Sequence, residues 1–164
     1  MMHIVAYFAD VLIVVLSFLF MEFLAWFTHK FVMHGFLWYF HSDHHIRDGR
    51  KVERNDVFAI IFALPSILLI YYGVMSPNEL LLSVGIGIML YGAAYFLFHD
   101  VYVHQRIPLF KNFSNRYLRA TVKAHLEHHQ PNARHNFGFL IAPFRYYKDE
   151  FKKQQEAQSR NFSS

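Results

Sequence analysis

Three long runs of apolar residues dominate the chain, and short polar segments separate them. The runs cover residues 3–27, 57–75 and 80–98. A helix needs about 20 apolar residues to cross the hydrocarbon core of a bilayer, so each run is long enough to span a membrane. Beyond residue 98 no run is both long and apolar enough to do so. The pattern therefore predicts an all-α integral membrane protein with about three transmembrane helices.

The polar segments are predicted to lie at the membrane surfaces. Residues 46–56 are charged and lead into the second span, with Asn55 or Asp56 as the N-terminal cap of that helix. Residues 106–129 carry basic and aromatic side chains at helical spacing, which is typical of a helix that lies on a membrane surface. An ordinary soluble helix packed on the histidines described below fits the same pattern.

The C-terminal part of the chain changes from apolar to polar. We interpret residues 136–144, which are apolar but few, as a re-entrant or interfacial piece. From Lys148 onwards the chain is polar, and we expect a frayed tail over about 148–164. The length of 164 residues fits a single membrane-embedded domain, residues 1–164.

Composition supports a membrane protein and excludes several cofactors. Hydrophobic residues make up 54% of the chain and aromatic residues 19%, with a mean hydropathy of +0.16. Cysteine is absent, which excludes iron–sulfur clusters, thiolate-bound haem and disulfide bonds. The third run contains Gly85, Gly87 and Gly92, which permit close contacts between helices.

The basic residues predict how the protein is oriented. All sixteen lysines and arginines lie within residues 30–54 or 106–160. Cytoplasmic loops are enriched in these residues, so both segments are predicted to be cytoplasmic. Three spans then place the N-terminus outside and the C-terminus inside, in the inner (cytoplasmic) membrane. The histidine groups that are described in the next paragraph then all lie at the cytoplasmic face.

Histidines form a duplicated pattern, H-x4-H followed by H-x2-H-H, which includes ten of the twelve in the chain. Packing so many imidazoles without a metal would leave many polar nitrogens to satisfy or cations that repel one another. The pattern therefore indicates metal binding. The predicted ligands are His29, His34, His41, His44, His45, His99, His104, His125, His128 and His129.

On a helix, the H-x2-H-H triplets and the H-x4-H pairs are expected to direct their side chains differently. In H-x2-H-H the second and third histidines follow the first by three and four residues, so all three share one face of a helix. In H-x4-H a step of five residues rotates a side chain by roughly 140° on an α-helix. Each pair therefore straddles a helix end or serves two different metals. Gly35 and Pro108 lie close enough to mark such ends.

The number of ligands predicts two metal ions. Ten imidazoles exceed the roughly four that a tetrahedral zinc accepts. Imidazole suits iron, copper, nickel and zinc, so the ligand type alone does not identify the metal. A dinuclear iron centre is a hypothesis at this point. His3 and His135 lie outside the pattern and are not predicted as ligands. His135 follows the last triplet closely enough to orient one of its imidazoles, although an ordinary surface histidine fits the sequence better.

One carboxylate lies inside the first apolar run. Glu22 precedes His29 by seven residues, so the two share a helix face. A carboxylate within a membrane tends to face a polar interior and to pair with another group. It either accepts a hydrogen bond that orients a metal-binding imidazole or forms a hydrogen bond with a neighbouring helix.

The four histidine groups and the residues around them resemble the carotene hydroxylases of the fatty acid hydroxylase superfamily. The resemblance rests on MEFLAWFTHKFVMHGFLWYFHSDHH (21–45) and FHDVYVHQRIPLFKNFSNRYLRATVKAHLEHH (98–129). NDVFAIIFALPS (55–66) and FGFLIAPFRYYK (137–148) are also similar to sequences of that family. It therefore covers nearly the whole chain.

The resemblance implies a reaction and a cofactor. The ten histidines would hold a non-haem di-iron centre that activates O2. The expected reaction is hydroxylation at C3 and C3′ of β-ionone rings, which converts β-carotene through β-cryptoxanthin to zeaxanthin. We expect an apolar substrate to enter from the bilayer through a slot lined by residues such as Phe36, Trp38, Tyr39 and Phe96. Those aromatic residues are equally suited to anchor the protein at the interface.

Each turnover also needs two electrons. The sequence carries no flavin, nicotinamide or iron–sulfur motif, so we expect a ferredoxin-type donor and its reductase as partners, and no nucleic acid. A basic surface can dock an acidic carrier or bind anionic lipid of the bilayer. Its residues are Arg47, Arg50, Lys51, Arg116, Arg119 and Lys123.

Other functions fit parts of the same pattern. A carotenoid ketolase, a fatty acid hydroxylase or a sterol desaturase would use the same membrane di-iron chemistry. A histidine-rich metal transporter is a further alternative from another class. Transport would place ligands near the middle of the spans, whereas these lie at the predicted cytoplasmic ends.

Overall fold

The computed structural model describes residues 2–46, 50, 52–109, 115–131 and 133–162. Over these residues the chain forms helices joined by irregular segments, as the all-α prediction requires. It divides into two compact units, Met1–Leu97 and Phe98–Ser164, called the first and second units below.

The described helices follow the apolar runs closely. Helix α1 covers Met2–Phe27 and continues as a π-helical turn over Thr28–Phe36. A short α2, Trp38–His41, leads into a 3₁₀ turn at Ser42–His45. The other helices are α3 Asp56–Met75, α4 Glu79–Tyr95 with a π-helical continuation at Phe96–Val103, α5 Arg116–His128 and α6 Phe144–Phe162.

Three of these helices are long and apolar enough to cross a membrane. They are Ile4–Phe36, Asp56–Met75 and Glu79–Val103. Their outward faces expose large apolar side chains such as Phe8 and Ile60, which a lipid environment would cover. The prediction of three spans is therefore confirmed, and α1 and α4 extend beyond the predicted runs into the histidine segments.

Small residues bring the helices of the first unit together. Helix α4 packs on both α1 and α3. A Cβ added at Gly87 would lie 2.6 Å from the Ser17 side chain and 2.6 Å from the Val14 carbonyl oxygen of α1. The carbonyl of Gly85 accepts a hydrogen bond of 2.8 Å from the Ser66 hydroxyl of α3. Close helix contact, predicted for Gly85 and Gly87, is confirmed.

Gly92 differs from the other two glycines of α4. A Cβ there would meet no atom of the described chain within 4 Å. The prediction of a close contact at Gly92 was therefore wrong, because its face of the helix is open.

Helices α5 and α6 form the interior of the second unit. The Asn115 side chain caps α5 by accepting a hydrogen bond of 2.9 Å from the Leu118 backbone N–H. Ala120 and Ala124 of α5 pack against Tyr146 of α6, and Ala142 completes the cluster. Small side chains on α5 thus allow the aromatic ring of α6 to approach closely.

One prediction for the C-terminal part was wrong, and another stays a prediction. Residues 136–144 are mostly irregular, with Phe137, Phe139 and Ala142 buried, and their re-entrant or interfacial position stays a prediction. The expected polar tail continues α6 to Phe162. The helix includes the buried Glu150, whose pairing with α5 the polar composition did not reveal.

Substituting alanine in α4 should distinguish packed from open glycines. Gly87→Ala places a methyl group against the backbone of α1, and we expect it to destabilise the protein by about 1–3 kcal/mol. Gly92→Ala has no neighbour to displace and should leave the melting temperature unchanged or slightly higher. Thermal unfolding in detergent, followed by circular dichroism, measures both. Equal melting temperatures would contradict the close contact.

The ion pair between α5 and α6 should make stability depend on pH. The Arg119 guanidinium lies 2.8 Å from Glu150 and, despite burial, together with Lys153 it keeps the pKa of that carboxyl below its ordinary 4.5. A lowered folded-state pKa stabilises the protein above pH 4.5, and this contribution is lost as the pH falls. Both cations are exposed, so it amounts to about 0.2–1 kcal/mol.

We therefore expect Glu150→Gln to lower the melting temperature at pH 7, and the difference from the unsubstituted protein to shrink below pH 4.5. Melting curves of both proteins at pH 7 and pH 4 measure this difference. A difference that does not change with pH would show that the carboxylate charge is not involved.

Candidate metal centre

Four imidazoles of the first unit form a cluster. The ring nitrogens that His29, His34, His41 and His45 offer as ligands all lie within 4.8 Å of one another. His29 and His41 are each only 1% exposed. Four converging ring nitrogens, two of them deeply buried, form a set that a transition metal would bind.

The π-helical turn explains how His29 and His34 come together. Here the backbone N–H of Leu37 donates to the carbonyl of Val32, five residues earlier, at 3.0 Å. A π-helix has about 4.4 residues per turn, so a five-residue step leaves the side chains about 50° apart. The two rings are accordingly 5.0 Å apart, measured between centroids.

The second pair repeats this device. His99 lies within Phe96–Val103, and the His104 N–H donates to the His99 carbonyl at 2.9 Å. Their ring centroids are 4.5 Å apart. The expected divergence is therefore wrong, because it assumed a regular α-helix. Only the second pair straddles a helix end, because His104 follows the last helical residue. His29 and His34 both precede Gly35, where the helical backbone is interrupted.

The first and third histidines of each triplet converge as predicted, whereas the middle ones, His44 and His128, do not join them in one group of converging nitrogens. His41 ends α2, and its ring centroid lies 5.4 Å from His44 and 4.9 Å from His45, both in the 3₁₀ turn. In the second unit His125 and His128 lie on α5 and His129 caps it. The His125 and His129 centroids are 4.5 Å apart.

The second unit also gathers ring nitrogens from both halves of its pattern. His99, His104 and His125 offer nitrogens within 4.8 Å of one another. His129 lies beside the same pair, with its ring 4.9 Å from His104. A pair and a triplet that lie 21 residues apart in sequence are thus brought to one place.

Distances between ring nitrogens fit a bound ion. The Nε2 atom of His41 lies 3.0 Å from Nε2 of His29 and 3.2 Å from Nε2 of His45. In the second unit Nε2 of His104 lies 2.9 Å from Nε2 of His125. Two imidazole nitrogens bound about 2.1 Å from one ion at a right angle lie about 3.0 Å apart. The residues therefore fit a metal centre.

Hydrogen bonds hold the opposite side of four imidazoles. In the first unit the Nδ1 atom of His41 lies 2.7 Å from the Asn55 side-chain oxygen, and that of His44 lies 2.8 Å from the Glu53 carboxylate. These acceptors come from the residues that lead into α3. The 46–56 segment is therefore more than the surface connection that its charges indicated.

The second unit holds two more rings in the same way. The Nδ1 atom of His99 lies 2.8 Å from the Asp100 carboxylate, and that of His128 lies 2.8 Å from the His135 backbone carbonyl. A carboxylate or carbonyl oxygen only accepts, so Nδ1 carries the proton and Nε2 keeps its lone pair. This is the arrangement that directs an imidazole towards a metal.

Burial reinforces the neutral state that a ligand needs. Desolvation lowers the pKa of His128 below its ordinary 6.5, although the hydrogen bond to the His135 carbonyl acts in the opposite direction. A neutral imidazole is the form that binds a metal. The His135 side chain itself is exposed, and the side chain of His3 lies outside the described residues.

Sequence reasoning missed most of these acceptors. Asn55 was predicted to cap α3, but its side chain binds His41, and the Asp56 carboxylate instead accepts the Glu53 N–H at 3.0 Å. Of the acceptors described here, only Asp100 could have been found from the sequence, because it directly follows His99. Neither the spacing of Glu53 from His44 nor a backbone carbonyl leaves a recognisable pattern.

Glu22 bonds to a neighbouring helix, the second of the two alternatives. Its carboxylate accepts a hydrogen bond of 2.8 Å from the Tyr91 hydroxyl of α4. The Tyr91 ring also packs edge-on against Phe18 of α1, with centroids 5.5 Å apart. The pair therefore joins α1 to α4 below the histidine cluster.

Aromatic rings line both clusters. Trp38 lies 5.2 Å from the His34 ring and 5.3 Å from His45. In the second unit Phe139 lies 5.2 Å from His99, and Phe137 lies 4.9 Å from His128. Among the four aromatic residues predicted to line a slot, Trp38 contacts the imidazoles, while Tyr39 packs under the Arg54 guanidinium at 4.2 Å.

Comparison with known proteins agrees with this site. The family model for fatty acid hydroxylases matches residues 14–146. Beta-carotene hydroxylase of Pseudescherichia vulneris is 41% identical over 134 residues, which cover 80% of this chain and 76% of that protein. Beta-carotene hydroxylase of Pantoea ananas is 40% identical over 139 residues, covering 82% and 78%.

A plant protein is similar as well. Beta-carotene 3-hydroxylase 2, chloroplastic, of Arabidopsis thaliana is 40% identical over 112 residues, which cover 66% of this chain and 37% of that protein. No solved structure matches the chain.

Helices of membrane-spanning length and two clusters of imidazoles define a helical membrane protein with histidine clusters that could hold a metal. Its sequence places it more closely: the chain belongs to the fatty acid hydroxylase family, a family of hydroxylase enzymes. The resemblance to carotene hydroxylases inferred from the histidine groups is confirmed by these relatives.

Removing one Nδ1 acceptor should weaken metal binding without removing a ligand. Asn55→Leu keeps the size of the side chain but leaves the His41 ring unheld, and we expect metal affinity to fall about 10–100-fold. Asn55→Asp retains an acceptor oxygen and serves as the control. Elemental analysis of the purified protein against a series of chelator concentrations measures the affinity. Unchanged affinity in Asn55→Leu would show that the hydrogen bond does not position the ring.

Proposed function

We propose that this protein hydroxylates β-ionone rings at C3 and C3′ with O2, and so converts β-carotene through β-cryptoxanthin to zeaxanthin. The observation that carries the proposal is the 41% identity to a beta-carotene hydroxylase over 80% of the chain. The family model, which matches residues 14–146, includes all ten histidines of the pattern. The name of the plant relative specifies position 3.

We propose iron as the metal, with two ions held by the ten histidines of the duplicated pattern. The proposed reaction favours this assignment because activation of O2 needs a redox-active metal, and neutral imidazoles leave the positive charge and Lewis acidity of the ions high. A bound di-iron centre supplies the activation of O2 that oxidation of a ring C–H requires. The proposed ligands are the ten histidines predicted from the sequence.

The chain's own residues would orient the ligands and receive the substrate. Asn55, Glu53 and Asp100 fix the tautomer and direction of the rings that they hold, so little reorganisation is needed when a metal binds. Trp38 offers an apolar surface against His34 and His45, which suits a hydrocarbon ring. We assign substrate contact to Trp38 on this ground.

The proposed orientation places the histidines and the C-terminus in the cytoplasm and the N-terminus outside, in the inner membrane. The distribution of lysine and arginine supports it. Electrons would come from a ferredoxin-type donor with its reductase, since the sequence contains no motif for a redox cofactor of its own.

The proposed docking surface is partly occupied by internal ion pairs. Arg119 pairs with Glu150 at 2.8 Å, and Lys123 lies 3.7 Å from Asp149. An acidic carrier would therefore compete with the chain's own carboxylates there, and lipid headgroups would meet the same competition. Arg47 and Lys51 lie outside the described residues.

Pigment analysis tests the reaction directly. The chain is expressed in a bacterium that accumulates β-carotene, and the pigments are separated by chromatography. Zeaxanthin is the expected product. Canthaxanthin would move the protein to the ketolases, and unchanged β-carotene from inserted, iron-loaded protein would contradict the proposed substrate.

The same assay tests the ligands. His41→Ala or His128→Ala removes a buried imidazole, and we expect zeaxanthin formation to fall below detection. His135→Ala is the matched control: its side chain is exposed and the carbonyl that holds His128 remains, so at least half the activity should persist. Immunoblots of membranes confirm equal amounts of protein. Full activity of either ligand variant would exclude that histidine as a ligand.

A further inference from the structure

Each histidine triplet contains an acidic residue directly before its adjacent pair of histidines. The first reads HSDHH, with Asp43, and the second HLEHH, with Glu127. Neither carboxylate belongs to the groups of side chains that could together hold a metal ion. What these two residues contact in the described chain points to another role.

Asp43 fastens the segment that holds two imidazoles. The residue is 1% exposed, and its Oδ2 atom accepts hydrogen bonds from the Arg54 backbone N–H at 2.7 Å and from Arg54 Nε at 3.2 Å. Arg54 lies between Glu53 and Asn55, which accept from His44 and His41. A charge-assisted hydrogen bond to the central residue therefore fixes both acceptors.

In the second unit Glu127 is connected to the residue beside the His128 acceptor, here through two side chains. Its carboxylate accepts a hydrogen bond from the buried Tyr146 hydroxyl at 2.5 Å. That hydroxyl in turn accepts from the Asn136 amide, which also donates to the Ala124 carbonyl at 3.1 Å. Asn136 directly follows His135, whose carbonyl holds His128.

The backbone at Asn136 is shaped for this contact. Its φ of 61° lies in the left-handed region, which asparagine tolerates better than most other residues. The short amide side chain bonds to Tyr146, while the preceding carbonyl bonds to the imidazole. Asn136 thus connects Glu127, through Tyr146, to the neighbouring His135 carbonyl that accepts from His128.

The two copies match in function although their partners are unrelated. In each, the acid before the histidine pair fixes a residue that adjoins the acceptor for the first histidine of that pair, His44 or His128. One copy uses an arginine and its backbone; the other uses a tyrosine and an asparagine. If each acidic residue served only to stabilise its own unit, there would be no reason for both to be connected to the acceptor of the following histidine.

We propose that Asp43 and Glu127 are positioning residues that hold the hydrogen-bond acceptors of His44 and His128 and do not themselves bind metal. This inference rests on the proposed metal centre, since the aim of the two rings matters only if they bind an ion. The residues act through others, so their substitution should loosen the metal without removing a ligand.

Iron retention in the purified full-length protein tests the proposal. Asp43→Ala and Glu127→Ala remove the fastening oxygen, and we expect iron loss to a chelator such as ferrozine to be about 10–100-fold faster. Asp43→Asn and Glu127→Gln keep one acceptor oxygen and should restore most of the retention. The Mössbauer quadrupole splitting of the remaining iron should change in the alanine variants and return in the amide variants.

A tyrosine variant tests the connection in the second unit. Tyr146→Phe removes the hydroxyl between Glu127 and Asn136, and it should accelerate iron loss as much as Glu127→Ala. The double variant should lose iron no faster than either single variant, because both break one chain of hydrogen bonds. Glu156→Ala on the exposed part of α6 is the control and should retain iron normally.

The outcomes separate this inference from the function on which it rests. Wild-type retention and an unchanged Mössbauer spectrum in both alanine variants would overturn the positioning role while leaving the metal centre intact. Amide variants that lose iron as fast as the alanine variants would also overturn it, since they would identify the carboxylates as ligands. Failure of the unsubstituted protein to bind iron would overturn the metal centre and this inference together.

Discussion

An imidazole that binds a metal needs two things at once: a lone pair aimed at the ion and a partner for its other nitrogen. Much of the structure described here serves that requirement. The buried histidines His41 and His99 bond through Nδ1 to an oxygen of the chain, and His41 presents Nε2 to His29 and His45. Because those oxygens only accept, the protonation state of each ring is set before any ion arrives.

The helices are irregular where the ligands require it. A regular α-helix directs two histidines five residues apart to different sides, whereas the π-helical turns at Thr28–Phe36 and Phe96–Val103 bring both pairs together. Local departure from ideal geometry thus coincides with the chemistry.

Sequence predicted those parts that depend on residue type and period. Hydropathy located the three spans, and helical spacing predicted that His41 and His45 converge. Contacts between distant residues were beyond it. The bond from His41 to Asn55 depends on how the chain returns after a charged segment, and the His135 carbonyl would be present whatever the side chain there. A π-helical turn contains about one residue more than an α-helical turn, and the spacing of apolar residues does not distinguish the two.

The first cluster draws on a short stretch of chain. Within the first unit its four imidazoles, and the Asn55 oxygen that holds His41, all lie between His29 and Asn55, so these contacts join residues fewer than thirty apart. Contacts over short separations form quickly because little loop entropy is lost. During synthesis these contacts of the first unit can therefore form as soon as α3 begins to emerge, well before His99 has been translated.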